Sequence, residues 1–312
     1  MASLRPRFLP LVAVLIVTFL SMGCASHSRR PRVTLSTAAL STATLQDLVG
    51  RVNSSSALIN TLNATVDIQA STGGARVGKI TEYQEIRGYI LARKPGWLRM
   101  VGLFPVLRNR AFDMVSDGFR FKLSIPSKNR FIVGSNEIAQ PSQQPLENLR
   151  PQHIYDSLLL RPIDPESDIA VLEQENRTIT IPNSKTTVVQ PEYVLDIVSR
   201  GVKGWFLSRK LYFSRTDLEP YRQVVFDQNG SIATDARYEN FQNYEGVEFP
   251  SHIRIRRPQE QYSVDLSILK LTANSALTDE QFVLNQPPGA EVVQLESGGT
   301  NRASAPPSGQ AQ

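Results

Sequence analysis

Apolar and polar residues alternate along much of the chain, and this pattern predicts β-strands. In the stretch FRFKLSI, residues 119–125, every odd-numbered residue is apolar and every even-numbered residue is polar. Similar segments at 65–71, 79–93 and 96–103 are bounded by turn residues, and Asp117–Gly118 is a hairpin signal. Side chains of a strand point alternately to its two faces, so these segments predict a meander of antiparallel strands with one covered face.

Two segments have helical rather than alternating spacing. In TLQDLVGRVNSSSALINTL, residues 44–62, apolar residues recur every three or four positions, and Thr44 with Asp47 forms a capping-box pattern. A break containing Pro145 leads into PQHIYDSLLL, residues 151–160, whose proline is tolerated in a first helical turn. Strand patterns resume after this second helix and continue to about residue 272.

About a dozen strands and two helices are too few helices for βα units. The predicted fold is therefore mainly β: a strongly curved antiparallel half-barrel with helices covering its concave face, in one domain over 44–295. The Gly/Ser/Pro-rich segment 296–312 predicts a disordered tail.

The N-terminus has the three-part layout of a secretory signal peptide. Arg5 and Arg7 precede an apolar run from Phe8 to Leu20, and small residues lead to Cys24, the chain's only cysteine. The run of about 13 residues is short for a bilayer-spanning helix, which needs roughly 20, although an uncleaved anchor stays an alternative. Gly23–Cys24 resembles the lipobox of bacterial lipoproteins.

That resemblance implies a signal peptide over 1–23, lipidation of Cys24 by acyl chains such as palmitate, and a tether over 24–43. Ala25 in place of aspartate favours the outer membrane over the inner one, with the domain facing the periplasm. A catalytic role for Cys24 has little support, because no folded domain precedes it to position a base.

Composition narrows the function classes. The chain has 34 Lys and Arg against 29 Asp and Glu, a net charge of +5 without a dense basic stripe, so nucleic-acid binding is not expected. The three histidines lack zinc spacing, and no nucleophile-elbow, phosphate-loop or dinucleotide motif occurs. DPESD, residues 164–168, is interpreted as a solvated loop, with a calcium site left open. We therefore expect no enzyme activity and no cofactor.

The order of segments resembles the LolA/LolB-like superfamily, and the LolB-like outer-membrane lipoprotein receptors in particular. The similar parts are WLRMVGLFPVLRNRAFDMVSDGFRFKL, the helical insertion ENLRPQHIYDSLLL and the closing segment LTDEQFVLNQPPGAEVVQL, in which a Phe-x-Leu strand precedes a Pro-Gly turn. The resemblance implies an apolar cavity that accepts a lipidated protein or lipid, with a periplasmic LolA-like carrier as a possible partner. It also implies a hydrophobic loop that contacts the membrane.

The segment GLFPVLRN occupies the place of that loop, with Phe104, Val106 and Leu107 at its tip; packing under a neighbouring strand is the alternative. Acyl chains gain roughly 0.8 kcal/mol per buried methylene, so a site for them must be apolar. The predicted cavity lining, for which ordinary core packing is the alternative, is Trp97, Met100, Phe119, Phe121, Trp205 and Phe226.

The sequence thus predicts a non-enzymatic outer-membrane lipoprotein for lipoprotein or lipid transfer. The alternatives are an envelope sensor or assembly module that binds a protein partner on the same fold and, ranked last, a periplasmic hydrolase.

Overall fold

A computed structural model describes residues 33–35, 39–74, 78–136, 148–180 and 187–295. The predicted signal peptide, Cys24, most of the predicted tether and the tail from residue 296 lie outside the described residues. The chain divides into two compact units. The smaller comprises 1–37 and 177–190, and in it strand β1, Val33–Leu35, pairs in parallel with residues 187–189.

The larger unit, 38–176 and 191–312, begins with helix α1, Leu45–Leu58. The capping box is present: the Asp47 amide donates to Thr44 Oγ1 over 3.2 Å, and the Thr44 amide donates to Asp47 Oδ2 over 2.8 Å. The helix ends four residues before the predicted Leu62. The Asn60 amide instead donates to the Asn274 side chain over 2.8 Å, and Leu62 is a buried strand residue.

The first half of the sheet is the predicted meander. Its strands are β2 Thr61–Gly73, β3 Ile80–Glu82, β4 Ile86–Arg93, β5 Trp97–Leu103, β6 Arg110–Ser116, β7 Arg120–Ile125 and β8 Arg130–Ser135. The stretch 79–93, expected as one strand, is two. Both pair with the long strand β2, β3 at residues 71–73 and β4 at residues 61–68.

The second half follows helix α2, Pro151–Leu158. Its strands are β9 Asp168–Thr180, β10 Thr187–Gly201, β11 Gly204–Ser214, β12 Pro220–Phe226, β13 Ile232–Tyr244, β14 Val247–Arg257, β15 Tyr262–Ala273 and β16 Glu291–Leu295. The order in space is β10-β11-β12-β13-β14-β15-β2-β4-β5-β6-β7-β8-β16, in which β15 joins β2 across the two halves. The result is a curved, open sheet, antiparallel in this unit except for the parallel pair β8–β16.

Both helices lie on the same, inner face of the sheet, as predicted. Leu48 and Val52 of α1 pack among buried residues of β10 and β11, including Leu211 and Phe213. Ile154 and Leu158 of α2 pack into the larger core formed by β2, β4–β8 and β13–β15. Each fully buried residue of this kind contributes about 1.5–3 kcal/mol, so it is tertiary burial that holds these short helices in place.

The outer face has both ion pairs and a small apolar cluster, Val115, Phe131, Leu284 and Ala290, and the C-terminal segment partly covers it. Arg99 forms a two-pronged ion pair with Asp113 at 2.8 and 3.0 Å, and its Nη1 also donates to the Gln281 carbonyl over 2.8 Å. The predicted Phe-x-Leu strand is wrong, because Phe282 lies in a 3₁₀ turn, Asp279–Phe282, and its ring packs edge-on against Trp97. The strand comes after the Pro-Gly turn and is β16.

Candidate functional site

A cavity of about 270 Å³ opens between the two helices and the inner face of the sheet. The last turn of α1, the end of α2 and strands β13 and β14 surround it. Its apolar wall consists of Leu58, Ile59, Leu158, Leu159, Leu160, Tyr238, Phe241, Val247, Phe249 and Pro250. Pockets for small molecules measure roughly 300–1,000 Å³, so this cavity holds part of a long acyl chain unless a helix moves.

Several polar groups at the cavity have protein partners, and its lining also includes Ser55 and the exposed Glu248. Arg51 of α1 forms an ion pair with Glu219 of the β11–β12 turn, across the rim. Lys94 donates to the Ser56 carbonyl, and burial lowers the pKa of Lys94. The Ser157 hydroxyl donates to the His153 carbonyl over 2.7 Å. Because these groups already have partners, what the cavity offers a ligand is mainly apolar surface.

A polar cluster adjoins this wall on α2. Burial raises the pKa of Asp156 to about 6, although its side chain keeps contact with solvent and accepts from Gln152 Nε2 over 2.8 Å. Burial also lowers the pKa of Arg209 to about 10; Nη1 and Nη2 donate to the Arg161 and Pro162 carbonyls over 2.7 and 3.1 Å. The electrostatic interactions of Asp156 with Arg209 place these groups near each other, beside the cavity rather than in its lining.

Tyr238 belongs to both regions. Its ring lines the cavity, and burial raises the pKa of its hydroxyl, which lacks a hydrogen-bond partner among the described residues. An unpaired buried hydroxyl is a costly group, and a ligand or water that reaches it would recover that cost. The hydroxyl oxygen itself is buried, so a ligand reaches it only if the wall shifts.

The six residues predicted to line the cavity are not among its lining residues. Met100 and Phe121 lie on the inner face but are packed in the core. Trp97 lies on the outer face of β5, opposite Leu98 and Met100, where the C-terminal segment covers it. Phe119 is 82% exposed because Asp117 Oδ1 accepts from its amide over 2.9 Å and holds it in the turn.

The two remaining members lie near the ends of hairpins. Trp205 is 53% exposed at the start of β11, and Phe226 is half-buried at the end of β12. The alternation of apolar and polar residues identified which residues share a face of a strand. It does not show which part of that face the helices leave uncovered, and the cavity lies at that part. The three consecutive leucines at the end of PQHIYDSLLL could have indicated the observed wall. Three consecutive residues do not lie on one face of a helix, so α2 alone cannot bury all three.

The predicted membrane loop is partly exposed. Val106 and Leu107 are 90% and 78% exposed, whereas Phe104 is half-buried. Two hydrogen bonds of 3.0 Å close the loop, from the Phe104 amide to the Asn109 carbonyl and from the Arg108 amide to the Phe104 carbonyl. Two of the three residues therefore reach solvent, and their membrane contact stays a prediction.

The expected solvated loop at DPESD is held by its own residues. The Asp164 carboxylate accepts from the Glu166 amide and the Ser167 hydroxyl over 3.1 and 3.0 Å. Within the described ranges, no group of three or more His, Cys, Asp or Glu side chains is placed to hold a metal ion. The described helices also include none with the length and apolar character needed to cross a bilayer.

No family model matches the chain, and no curated protein matches it. Among solved structures it is similar to a LolA superfamily protein from Nitrosomonas europaea, at 15% identity over 78% of this chain and 99% of that chain, with a TM-score of 0.45. A putative outer membrane lipoprotein-sorting protein domain from Vibrio parahaemolyticus gives 11% identity, 77% and 97% coverage and a TM-score of 0.46.

The MucA/MucB complex of Pseudomonas aeruginosa gives 13% identity, 81% coverage of this chain, 64% of that chain and a TM-score of 0.23. All three TM-scores lie below 0.5, and we draw nothing about function from them. The mainly β fold class is shown by the large, curved, open sheet described above.

Proposed function

We propose that the chain is a non-enzymatic, lipid-anchored protein of the outer membrane, facing the periplasm, that holds acyl chains of lipids or lipidated proteins during their transfer. The observation that carries this proposal is the cavity between α1, α2 and β13–β14. Its lining is mainly apolar, and Arg51 and Glu219 form an ion pair at its rim that solvent partly screens. Reversible binding of an apolar chain needs this combination.

The remaining parts of the proposal come from the sequence. The lipobox-like Gly23–Cys24 supports an acyl anchor, and the exposed side chains of Val106 and Leu107 support contact with a bilayer. The cargo would arrive from a soluble carrier of LolA type. The alternative, a module that binds a protein partner, predicts an empty cavity and a stable complex.

Leu58 is the residue with which to test the cavity. It lines the wall yet is 52% exposed, so glutamate at this position leaves the core intact and puts a charge beside the bound chain. We expect Leu58→Glu to weaken binding of a fluorescent C16 fatty acid about tenfold, or roughly 1.4 kcal/mol. Leu269→Glu is the matched control, because Leu269 is similarly exposed and lies outside the lining.

Native mass spectrometry of the purified full chain supplies the second readout. A co-purifying acyl ligand that is lost in Leu58→Glu and kept in Leu269→Glu supports transport. Equal affinity of both variants for the fatty acid, or a cavity that is empty while a protein partner co-purifies, contradicts it.

A further inference from the structure

The hairpin turns of the larger unit lie at two opposite ends of the sheet. Because antiparallel strands alternate in direction, the turns that follow β2, β5, β7, β10, β12 and β14 share one end, which we name the loop end. The turns after β4, β6, β11 and β13 share the other, the cavity end, since Lys94, Glu219 and Gly246 line the cavity there. The predicted membrane loop, 104–109, belongs to the loop end.

Exposed apolar side chains concentrate at the loop end. Besides Val106 and Leu107, the tip of the β10–β11 hairpin carries Val202, which is 95% exposed, and the half-exposed Trp205. Ile80 and Ile232 project from two further connections at this end. Single apolar side chains on separate turns do not form a groove for a folded partner. Each of them can instead insert separately into the apolar part of a bilayer.

An exposed cation lies beside four of these side chains, and Ile232 is without one. Lys79 precedes Ile80, Arg108 follows Leu107, and Lys203 follows Val202. Arg200 lies opposite Trp205 in the β10–β11 register. The four cations form no ion pair among the described residues. The acids of the same end include Glu82, Glu85, Asp227 and Glu260, of which Glu260 is paired with Arg257.

Apolar side chains flanked by Lys or Arg, with a tryptophan at the boundary, are typical of surfaces that bind anionic bilayers. The cavity end differs in charge. Its turns carry the acids Asp117, Asp217, Glu219 and Glu245 and the bases Lys94 and Arg215. Leu58 and Phe119 are its large exposed apolar residues in those described turns and the α1–β2 connection. An anionic membrane therefore attracts the loop end more strongly than the cavity end.

We propose that the loop end docks on an anionic bilayer through two separate tips, the loop 104–109 and the hairpin tip Val202–Trp205, so that the cavity opens away from the membrane. This extends the proposed function, and the docking itself does not require a ligand in the cavity. The cavity mouth is then presented to a carrier arriving from the aqueous side. The bound acyl chain must leave the cavity and pass along the protein to reach the bilayer.

The chain's two tryptophans allow a direct test. In Trp97→Phe, Trp205 is the sole tryptophan, and in Trp205→Phe, Trp97 is. We expect the full-length Trp97→Phe protein, bound to vesicles of phosphatidylglycerol and phosphatidylcholine, to shift its emission to the blue. It should also lose most of that emission when the phosphatidylcholine is brominated. Trp205→Phe should show neither change, because Trp97 is packed against Phe282.

Val202→Asp in the Trp97→Phe background should abolish the quenching, whereas Phe119→Asp, at an equally exposed site of the cavity end, should keep it. Vesicles without phosphatidylglycerol should give weaker quenching. Unchanged Trp205 emission in protein that co-sediments with the vesicles would overturn the proposal, as would a shift produced only by a soluble protein partner. The affinity of the same protein for the fluorescent fatty acid is measured in parallel. If the protein binds no fatty acid but brominated lipid still quenches Trp205, the proposed function is contradicted and the docking proposal is not.

Discussion

Both ends of the sheet consist of hairpin turns, but the ion pairs at the two ends differ in how deeply they are buried. At the loop end, Arg257 and Glu260 form a buried ion pair with contacts of 2.6 and 3.0 Å, and Arg257 also donates to Thr234 over 2.8 Å. At the cavity end, the pair between Arg51 and Glu219 is partly open to solvent. Desolvated pairs are costly to break and exposed ones are not. Of these two pairs, the one at the cavity end is therefore the weaker restraint.

The largest expected effect is on the buried pair. Glu260→Ala leaves the guanidinium of Arg257 buried without its carboxylate, and we expect the free energy of unfolding to fall by about 3–5 kcal/mol in urea denaturation. Glu219→Ala is the matched variant at the cavity end, for which we expect a loss below about 1 kcal/mol. Similar losses for the two variants would remove the contrast between the ends.

An intermediate effect is expected at the membrane loop. Leu107→Asp places a charge on a side chain that touches no core, so folding should be unchanged while transfer of a fluorescent fatty acid from the protein to vesicles slows about tenfold, or roughly 1.4 kcal/mol. Stopped-flow measurement of the transfer rate checks this, with Phe119→Asp as the control. A wild-type rate for Leu107→Asp would remove the loop from the mechanism.

The smallest effect concerns α2, beside the cavity wall. The pKa of Asp156 is about 6 in the folded protein and ordinarily about 3.8, so the folded state binds more protons between these values. The contribution of Asp156 to stability is complete below pH 4 and is lost as the pH rises through 6. A full shift of this size corresponds to about 3 kcal/mol, and solvent contact reduces the effect well below that.

We therefore expect Asp156→Asn, which keeps an acceptor for Gln152, to match the wild-type melting temperature at pH 4 and to exceed it by a small margin at pH 7.5. The lowered pKa of His153 acts in the opposite direction in acid, so the difference between variant and wild type at each pH is the quantity to compare. A constant difference across this pH range would show that Asp156 is not the group responsible.

Short-range patterns predicted the strands well, and the misses have local causes. Phe121 and Leu123 alternate as expected, but Phe119 leaves the pattern because the Asp117 carboxylate accepts from the amides of Phe119 and Arg120. Leu62, expected to end α1, pairs with Ala92 and Ala273 on either side of β2, and no periodicity within residues 44–62 contains that information.

The candidate site was harder to predict than the fold. Its wall combines the last turn of α1, the end of α2 and two strands about 80 to 90 residues later, so it depends on where the two helices pack against the sheet. Trp97 illustrates the difficulty, because its burial comes from Phe282 on the outer face rather than from a ligand. An aromatic residue in a strand indicates a covered position, but it does not show whether a ligand or another part of the chain covers it.

The C-terminal segment also affects how the sheet forms during synthesis of the chain. Backbone carbonyls of Leu277, Gln281 and Leu284 receive hydrogen bonds from Arg93, Arg99 and Lys122, and β16 then pairs with the border strand β8. Ribosomes make these residues after the strands that they cover. Until they emerge, β8 has an unpaired backbone edge, which a strand of another chain can join.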